Sequence, residues 1–304
     1  MPRSRPHSET PACLISLASG KLNTVEPELT PGERLRTRIA AHPLVVPGVY
    51  DALSALIAKH LGFGAVFVSG FSVSASQLGL RDLGLLSSTE MRDMVSSVST
   101  ASGLPVIADA DTGYGGPHNV RRTVREFERA GAAGILLEDK AWPPRPGQDP
   151  ILPVEEHADT IRAACEARRR GVYVIGRTDA RAVEGVDKAI ERARVYAKAG
   201  ADALWVEAPS STDELVQVAE ELSEHTLVVN IVERGVTPHL TRSELVELGF
   251  GVIVSPLTGL LAATHAVTKA FKELAGESTA AVVDRMATFT EMAELMAAHD
   301  AEPR

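Results

Sequence analysis

Four carboxylates and an arginine stand where buried hydrophobic runs end. Val106–Ile107–Ala108 runs into Asp109 and Asp111, within Asp109–Ala110–Asp111–Thr112–Gly113–Tyr114–Gly115–Gly116. Ile135–Leu136–Leu137 runs into Glu138, and Leu204–Trp205–Val206 runs into Glu207. Val172–Tyr173–Val174–Ile175 continues through Gly176 into Arg177. Carboxylates gathered in one place repel one another and call for a cation. All-oxygen donors suit Mg²⁺ or Mn²⁺ better than zinc. A guanidinium beside them can grip a small carboxylate through two parallel hydrogen bonds.

Each of these residues has a plainer reading. Asp109 and Asp111 alternate, so on an extended strand both face one way, but acids in a loop are common. The Thr–Gly–Tyr–Gly–Gly turn that follows favours the site, because it brings backbone close to a ligand. Glu138 and Glu207 can each cap the next helix, and Arg177 can pair with either of them as well as bind substrate. Asn230, ending a further apolar run, can hydrogen-bond a carboxylate or cap a helix. Ser69–Gly70 offers a hydroxyl and free amides to an anion, and the serine-rich Ser72–Ser76 could equally be a mere loop. The nine histidines show no metal-binding spacing and no serine–histidine–aspartate arrangement.

An internal repeat supplies the elements that must position these groups. Leu61–Ser69, Ala130–Glu138, Ala199–Glu207 and Leu248–Ser255 each carry a helix-ending Gly, a short link and an apolar run with a polar end. A left-handed Gly closes a helix, and a helix handing over to a buried strand is half of a βαβ unit. Eight strands are expected, near 44–46, 65–69, 106–109, 134–138, 172–177, 203–207, 226–230 and 252–255. Amphipathic helices are expected between them, among them 119–129, 155–169, 186–198 and 213–223. Eight such units predict an α/β fold of the (β/α)8 TIM barrel type, with charged strand ends on the ligand-facing rim. An open doubly wound sheet is the alternative, but no Gly-rich dinucleotide turn occurs early in the chain.

Two helices follow the eighth strand, near 260–274 and 279–299. The second is more than a barrel needs, and its face of Val282, Val283, Met286, Phe289, Met292, Leu295 and Met296 needs a cover. Residues 1–31, rich in Pro, Ser, Thr and Glu, read as a flexible tail. Residues 32–304 read as one barrel with a C-terminal helical extension.

Composition narrows the partners. The chain has 304 residues and a net charge of −9, which argues against nucleic acid. Two cysteines, Cys13 and Cys165, fit a reducing cytoplasm and no structural zinc. No apolar run approaches the ~20 residues that span a bilayer.

Several segments together resemble the isocitrate lyase and phosphoenolpyruvate mutase superfamily. They are Pro47–Gly48–Val49–Tyr50–Asp51–Ala52, Val68–Ser69–Gly70, Leu78–Gly79–Leu80–Arg81–Asp82, Asp109–Gly115, Leu137–Glu138–Asp139, Gly176–Arg177–Thr178–Asp179–Ala180, and Asn230–Gly235 with Thr237–Pro238. The resemblance covers about 44–260. It implies a Mg²⁺-dependent barrel acting on small 2-oxo or 2-hydroxy acids through enolate-like intermediates. It also implies a homotetramer whose paired subunits exchange a helix. Carried over by position, Asp109 would hold the metal, and Asp82, Asp111 and Glu138 would hold its waters. Ser69 and Gly70 would bind the oxo-carboxylate end of the substrate, with Tyr50 on the same wall. Arg177 would bind substrate, and Glu207 and Asn230 would lie near the reacting end.

The departure follows Glu138–Asp139. Lyases of this superfamily carry a Lys–Arg–Cys–Gly–His lid whose Cys is the acid, and phosphonate mutases carry Lys and Asn there. Here Pro144 stands at the Lys position, Pro146 at the Cys or Asn position and Gln148 at the His position, with only Arg145 and Gly147 kept. A carbon–carbon lyase acting by retro-aldol cleavage or decarboxylation is therefore expected. Decarboxylation fits the missing thiol, because CO₂ departs without a proton. Phosphorus–carbon chemistry and a degenerate binding barrel are the alternatives. Tyr50, Glu207 and a water are the remaining sources of a proton.

Overall fold

From Leu44 onward strand and helix alternate, and the strands close on themselves. The computed structural model describes residues 29–141, 151–276 and 278–300, with side chains to 297. The tail before Leu29, including Cys13, and the segment holding Pro144, Arg145, Pro146, Gly147 and Gln148 lie outside the described residues. The strands are β1 (Leu44–Val49), β2 (Val66–Val68), β3 (Val106–Asp109), β4 (Ala132–Glu138), β5 (Tyr173–Thr178), β6 (Ala203–Val206), β7 (Leu227–Asn230) and β8 (Phe250–Ser255). All pair in parallel with their sequence neighbours, and β8 returns to β1 through Leu44↔Val252, so the sheet is a closed (β/α)8 barrel.

The helices are α1 (Pro31–Ala41), α2 (Ala52–His60), α3 (Gly70–Val73), α4 (Ser88–Ser102), α5 (Pro117–Arg129), α6 (Val154–Ala167), α7 (Arg181–Glu184), α8 (Val186–Lys198), α9 (Thr212–Glu221), α10 (Arg242–Leu248), α11 (Thr258–Leu274) and α12 (Phe289–Asp300). None of the described helices is long and apolar enough to cross a membrane.

The core has two layers, because alternate residues of a strand face opposite ways. Phe67, Ile107, Leu136, Ile175, Trp205, Val228 and Val254 fill the barrel interior. Val68, Ala108, Leu137, Val174, Leu204 and Val229 face outward, against apolar residues of the helices.

Helix α1 closes the floor of the barrel. It opens with a capping box in which Thr30 and Glu33 bond each other's backbone. Leu35 enters the interior cluster, and Arg36 binds Asp202 at 2.9 Å. A side chain at Gly32 would collide with the backbone of Gly171.

The floor also rests on Glu128 at the end of α5, which is 3% exposed. Its carboxylate accepts from the backbone N–H groups of Arg169 (2.8 and 3.1 Å), Arg170 (2.9 Å) and Val172 (3.3 Å). A Glu128→Gln variant turns an amide donor toward these donors. It is expected to lose about 2–3 kcal/mol in urea unfolding with turnover unchanged. Stability equal to wild type would mean that the loop holds itself.

Two expectations need correction. The segment 279–299 is not one helix. A 3-10 turn, Val283–Arg285, comes first, and α12 starts only at Phe289, where Thr288 and Glu291 form a new capping box. Val282 tucks in while Phe289 is 98% exposed, so the apolar face drawn across both is broken in two. The Ser72–Ser76 stretch is not a loop either. Ser69 caps α3, and a π-helical turn, Ser74–Leu78, continues it.

Candidate active site

The polar site begins where the apolar interior stops. Along six strands the residue two beyond an inward-facing core residue is one expected at the site: Phe67 to Ser69, Ile107 to Asp109, Leu136 to Glu138, Ile175 to Arg177, Trp205 to Glu207 and Val228 to Asn230. Period-two alternation thus aims all six at the C-terminal mouth of the barrel. Register completes the placement, with Glu138 paired to Arg177 across β4–β5 and Arg177 to Trp205 across β5–β6.

A cavity of ≈ 110 Å³ opens there, lined by Asp82, Asp109, Asp111, Glu138, Lys140 and Arg177, with Gly84, Thr112 and Ala141 at its edge. Asp109 accepts from the backbone N–H of Gly70 (3.1 Å) and of Asp111 (3.1 Å). A Cβ at Gly70 would stand 3.2 Å from the Asp109 carboxylate, so glycine lets that amide come close. Asp111 does not arrive by strand alternation, as expected from sequence. It sits beyond β3 in the left-handed region (φ 44°), and its carbonyl accepts from Glu138 N at 2.8 Å. The turn, not the pleat, brings the two aspartates together.

Arg177 is held on several sides. Its Nε and Nη2 bind both oxygens of Asp179 at 2.8 and 2.7 Å. Glu138 stands 3.5 Å away, Glu207 stands 3.8 Å away, and the guanidinium lies over the Trp205 ring at 5.6 Å. Lys140 reaches Asp179 at 3.2 Å and Glu138 at 3.9 Å. Glu207 accepts from Trp205 Nε1 (2.6 Å) and from Asn230 Nδ2 (3.1 Å). Asn230 thus bonds a carboxylate rather than capping a helix, and Glu207 caps none, because Ser211 caps α9.

Not every expected residue lines the cavity. Ser69 lends its hydroxyl to Ser72 N as a helix cap (3.4 Å). Tyr50 stands beside the start of α11, near Gly259, with its backbone N–H on Ser54. Glu207 and Asn230 reach the cavity only through Arg177. Conversely, Lys140 and Asp179 had no expected role. Each lies two residues beyond Glu138 or Arg177, so the same period pointed to them.

The charges explain one another. Burial, then Asp109 and Glu138, push Asp111 well above the usual carboxylate range. Burial pushes Glu138 up to about 8 against the pull of Arg177, and burial with Asp109 raises Asp82. Burial also opposes ionisation of Asp179, yet Arg177 and then Lys140 hold it below its ordinary value. Two cations therefore serve Asp179 while the acids around Asp109 stay under-compensated. Such a set of hard oxygens fits a divalent cation. Among the described residues no three His, Cys, Asp or Glu groups close into a cage by themselves. Donors that are all oxygen suit a hard ion such as Mg²⁺ rather than zinc.

Comparison with known proteins agrees with the barrel fold. The family profile described as phosphoenolpyruvate phosphomutase matches residues 35–275. The 2,3-dimethylmalate lyase of Eubacterium barkeri is 41% identical over 269 residues, covering 86% of this chain and 93% of its own. The structure of oxaloacetate acetylhydrolase with the product oxalate superposes with a TM-score of 0.84 at 33% identity, covering 90% of this chain and 96% of that one. Phosphonopyruvate hydrolase in complex with oxalate and Mg²⁺ gives 0.81 at 28% identity, covering 90% and 96%.

Proposed function

The chain belongs to the phosphoenolpyruvate mutase/isocitrate lyase superfamily, and from that premise we propose a Mg²⁺- or Mn²⁺-dependent carbon–carbon lyase. Its substrate is a small 2-oxo or 2-hydroxy (di)carboxylic acid. The observation that carries this reading is the under-compensated acid cluster facing a doubly held guanidinium at the barrel mouth. Asp109 would hold the ion, and Asp82, Asp111 and Glu138 would hold its waters. When bound, the ion supplies stabilisation of the negative charge that develops on a substrate oxygen as the neighbouring bond breaks.

The chain's own groups do the rest. Arg177 orients the substrate carboxylate, pre-set by Asp179 and Trp205. Ser69 and Gly70, next to the Asp109 carboxylate, would bind the oxo-carboxylate end, with Tyr50 further out beside the start of α11. Glu207 and Asn230 form a fixed hydrogen-bonded pair beside Arg177, near the reacting end. A leaving carbanion would take its proton from Tyr50 or water, since Glu207 is held as an acceptor by Trp205 and Asn230, whereas a decarboxylation needs none at its leaving group.

The decisive assay offers oxaloacetate, 2-methylisocitrate, 2,3-dimethylmalate and phosphonopyruvate with Mg²⁺. Cleavage of a carbon–carbon substrate is expected. Phosphate or phosphoenolpyruvate formed from phosphonopyruvate alone would establish the phosphorus–carbon reading instead. No turnover at all, with no ion bound, would leave a binding barrel.

No thiol takes part in this reading. Cys165 lies on α6, donates to Gly200 O at 3.1 Å, and its pKa is pushed up by burial. Iodoacetamide is therefore expected to leave at least about nine-tenths of turnover, since only the thiolate reacts. Rapid inactivation that substrate prevents, mapped to Cys165, would overturn this.

The C-terminal arm supports an assembly of several copies. None of the α11 side chains is buried in the single chain, and Phe271, Leu274, Phe289 and Met296 are all exposed. These faces are covered by a neighbouring copy, in a homotetramer of helix-exchanged pairs. A reducing cytoplasm fits the two cysteines.

A further inference from the structure

One buried carboxylate lies behind the strands and outside the cavity. Asp139 follows Glu138 directly, so it points the opposite way, outward into the layer under α8. It is 0% exposed. Its Oδ1 accepts from Asp179 N at 2.8 Å. Its Oδ2 accepts from the Thr178 hydroxyl at 2.7 Å and from the Tyr196 phenol at 2.7 Å. Arg192 stands 3.6 Å off, itself held by both oxygens of Glu184 at 2.8 Å. The ring of Tyr196 packs edge-on against His157, 4.7 Å between centroids.

We propose that Asp139, locked from behind by Tyr196, is a positioning residue for Arg177. The chain of contacts is short. Asp139 fixes the Thr178–Asp179 peptide, that peptide aims the Asp179 carboxylate, and both Asp179 oxygens hold the Arg177 fork. The first and last links are short hydrogen bonds to carboxylate oxygens, 2.7–2.8 Å, and the middle one is covalent. An apolar side chain at position 139 would fill the layer with less desolvation cost. It would remove one of the two bonds that hold the 178–179 peptide, leaving only Glu207 N–H on Thr178 O at 2.9 Å, and so loosen the Asp179 carboxylate that holds Arg177. Tyr196 thus tunes, from an outer helix, the guanidinium that the functional reading gives to the substrate, and the inference rests on that reading.

The test is a double-mutant cycle. Tyr196→Phe removes one hydroxyl and keeps the ring. With Mg²⁺ present, its affinity for oxalate by calorimetry is expected to fall about 10-fold. Mg²⁺ affinity without oxalate is expected to stay as in wild type. In an Arg177→Lys background the same change is expected to cost less than about 2-fold, because substitutions acting through one group do not add. Equal losses in both backgrounds overturn the proposal, since a merely structural Tyr196 weakens both proteins alike.

A second readout needs no ligand. The Arg177 Nε–H resonance, identified by its loss in Arg177→Lys, is expected to exchange with solvent about 10-fold faster in Tyr196→Phe, as local opening becomes easier. An unchanged signal overturns the proposal. Asp139→Asn is the companion variant and is expected to move both readouts the same way; unchanged values there also count against it. If wild type binds no oxalate, the functional reading falls, and the Nε–H signal still decides the positioning role.

Discussion

An Asp109→Ala chain is expected to lose Mg²⁺-dependent turnover by about 10³-fold or more and still to fold. The loss is large because Asp109 is the carboxylate assigned to the ion itself, whereas its neighbours are assigned only to waters. The fold survives because Asp109 stands one step above the interior layer that ends at Ile107. Two backbone donors, Gly70 N and Asp111 N, lose their acceptor, at about 1–3 kcal/mol. Part of that is offset, since Asp109 raises the pKa of Asp82, Asp111 and Glu138, and its removal relieves the repulsion. Turnover against Mg²⁺ concentration, with thermal unfolding followed by circular dichroism, checks both halves. Full activity in the variant, or in wild type under excess chelator, removes the metal assignment.

Deletion of residues 278–304 is expected to break the assembly. It removes α12 and the connector that buries Val282 beside α11. Without them the apolar residues of α11, and Leu53 and Ile57 of α2 with Leu61 just after it, are left more widely open. A bare patch of roughly several hundred square ångströms is enough to drive aggregation or dissociation. Light scattering is expected to give a multiple of the 32.3 kDa chain for the full protein, and monomer or aggregate for the truncated one. A truncated chain with the same mass and melting temperature as the full one would show that the arm packs only on its own barrel.

The barrel was legible because eight short apolar runs, each ending in a polar residue, leave few ways to bury both faces of a strand. β3 and β6 fall where the pattern placed them, apart from the last residue of β6. The site was legible as a set of strand ends but not as a set of contacts. Asp111 was placed on the right rim for an incomplete reason, because a left-handed residue, not the pleat, turns it inward. The preference of Arg177 for Asp179 over Glu138 and Glu207 was not visible, since which of three nearby acids wins depends on ångström-scale geometry. Helix α1 was missed because its interior face is only two residues, Leu35 and Ile39, too short a run to stand out as a periodic signal. The break before Phe289 was missed because the apolar spacing of 282–296 runs through it, while the Thr288–Glu291 box that restarts the helix lies on its polar side.

The docking of α1 has a consequence in time. This helix precedes β1 in the chain, yet it packs against β4 and β5, and Arg36 finds Asp202 across a separation of 166 residues. At about 5–20 residues per second, translation takes roughly 10–30 s to deliver that partner. For all of that interval Leu35 has no interior to enter. β1 waits longer still, because its second neighbour is β8 and Leu44 pairs with Val252. The first of the described helices to leave the ribosome is thus among the last to be seated, and the nascent chain carries an open strand edge until nearly the whole barrel has been made. Protease pulses on stalled chains can see this directly: α1 becomes resistant only in chains long enough to expose Asp202.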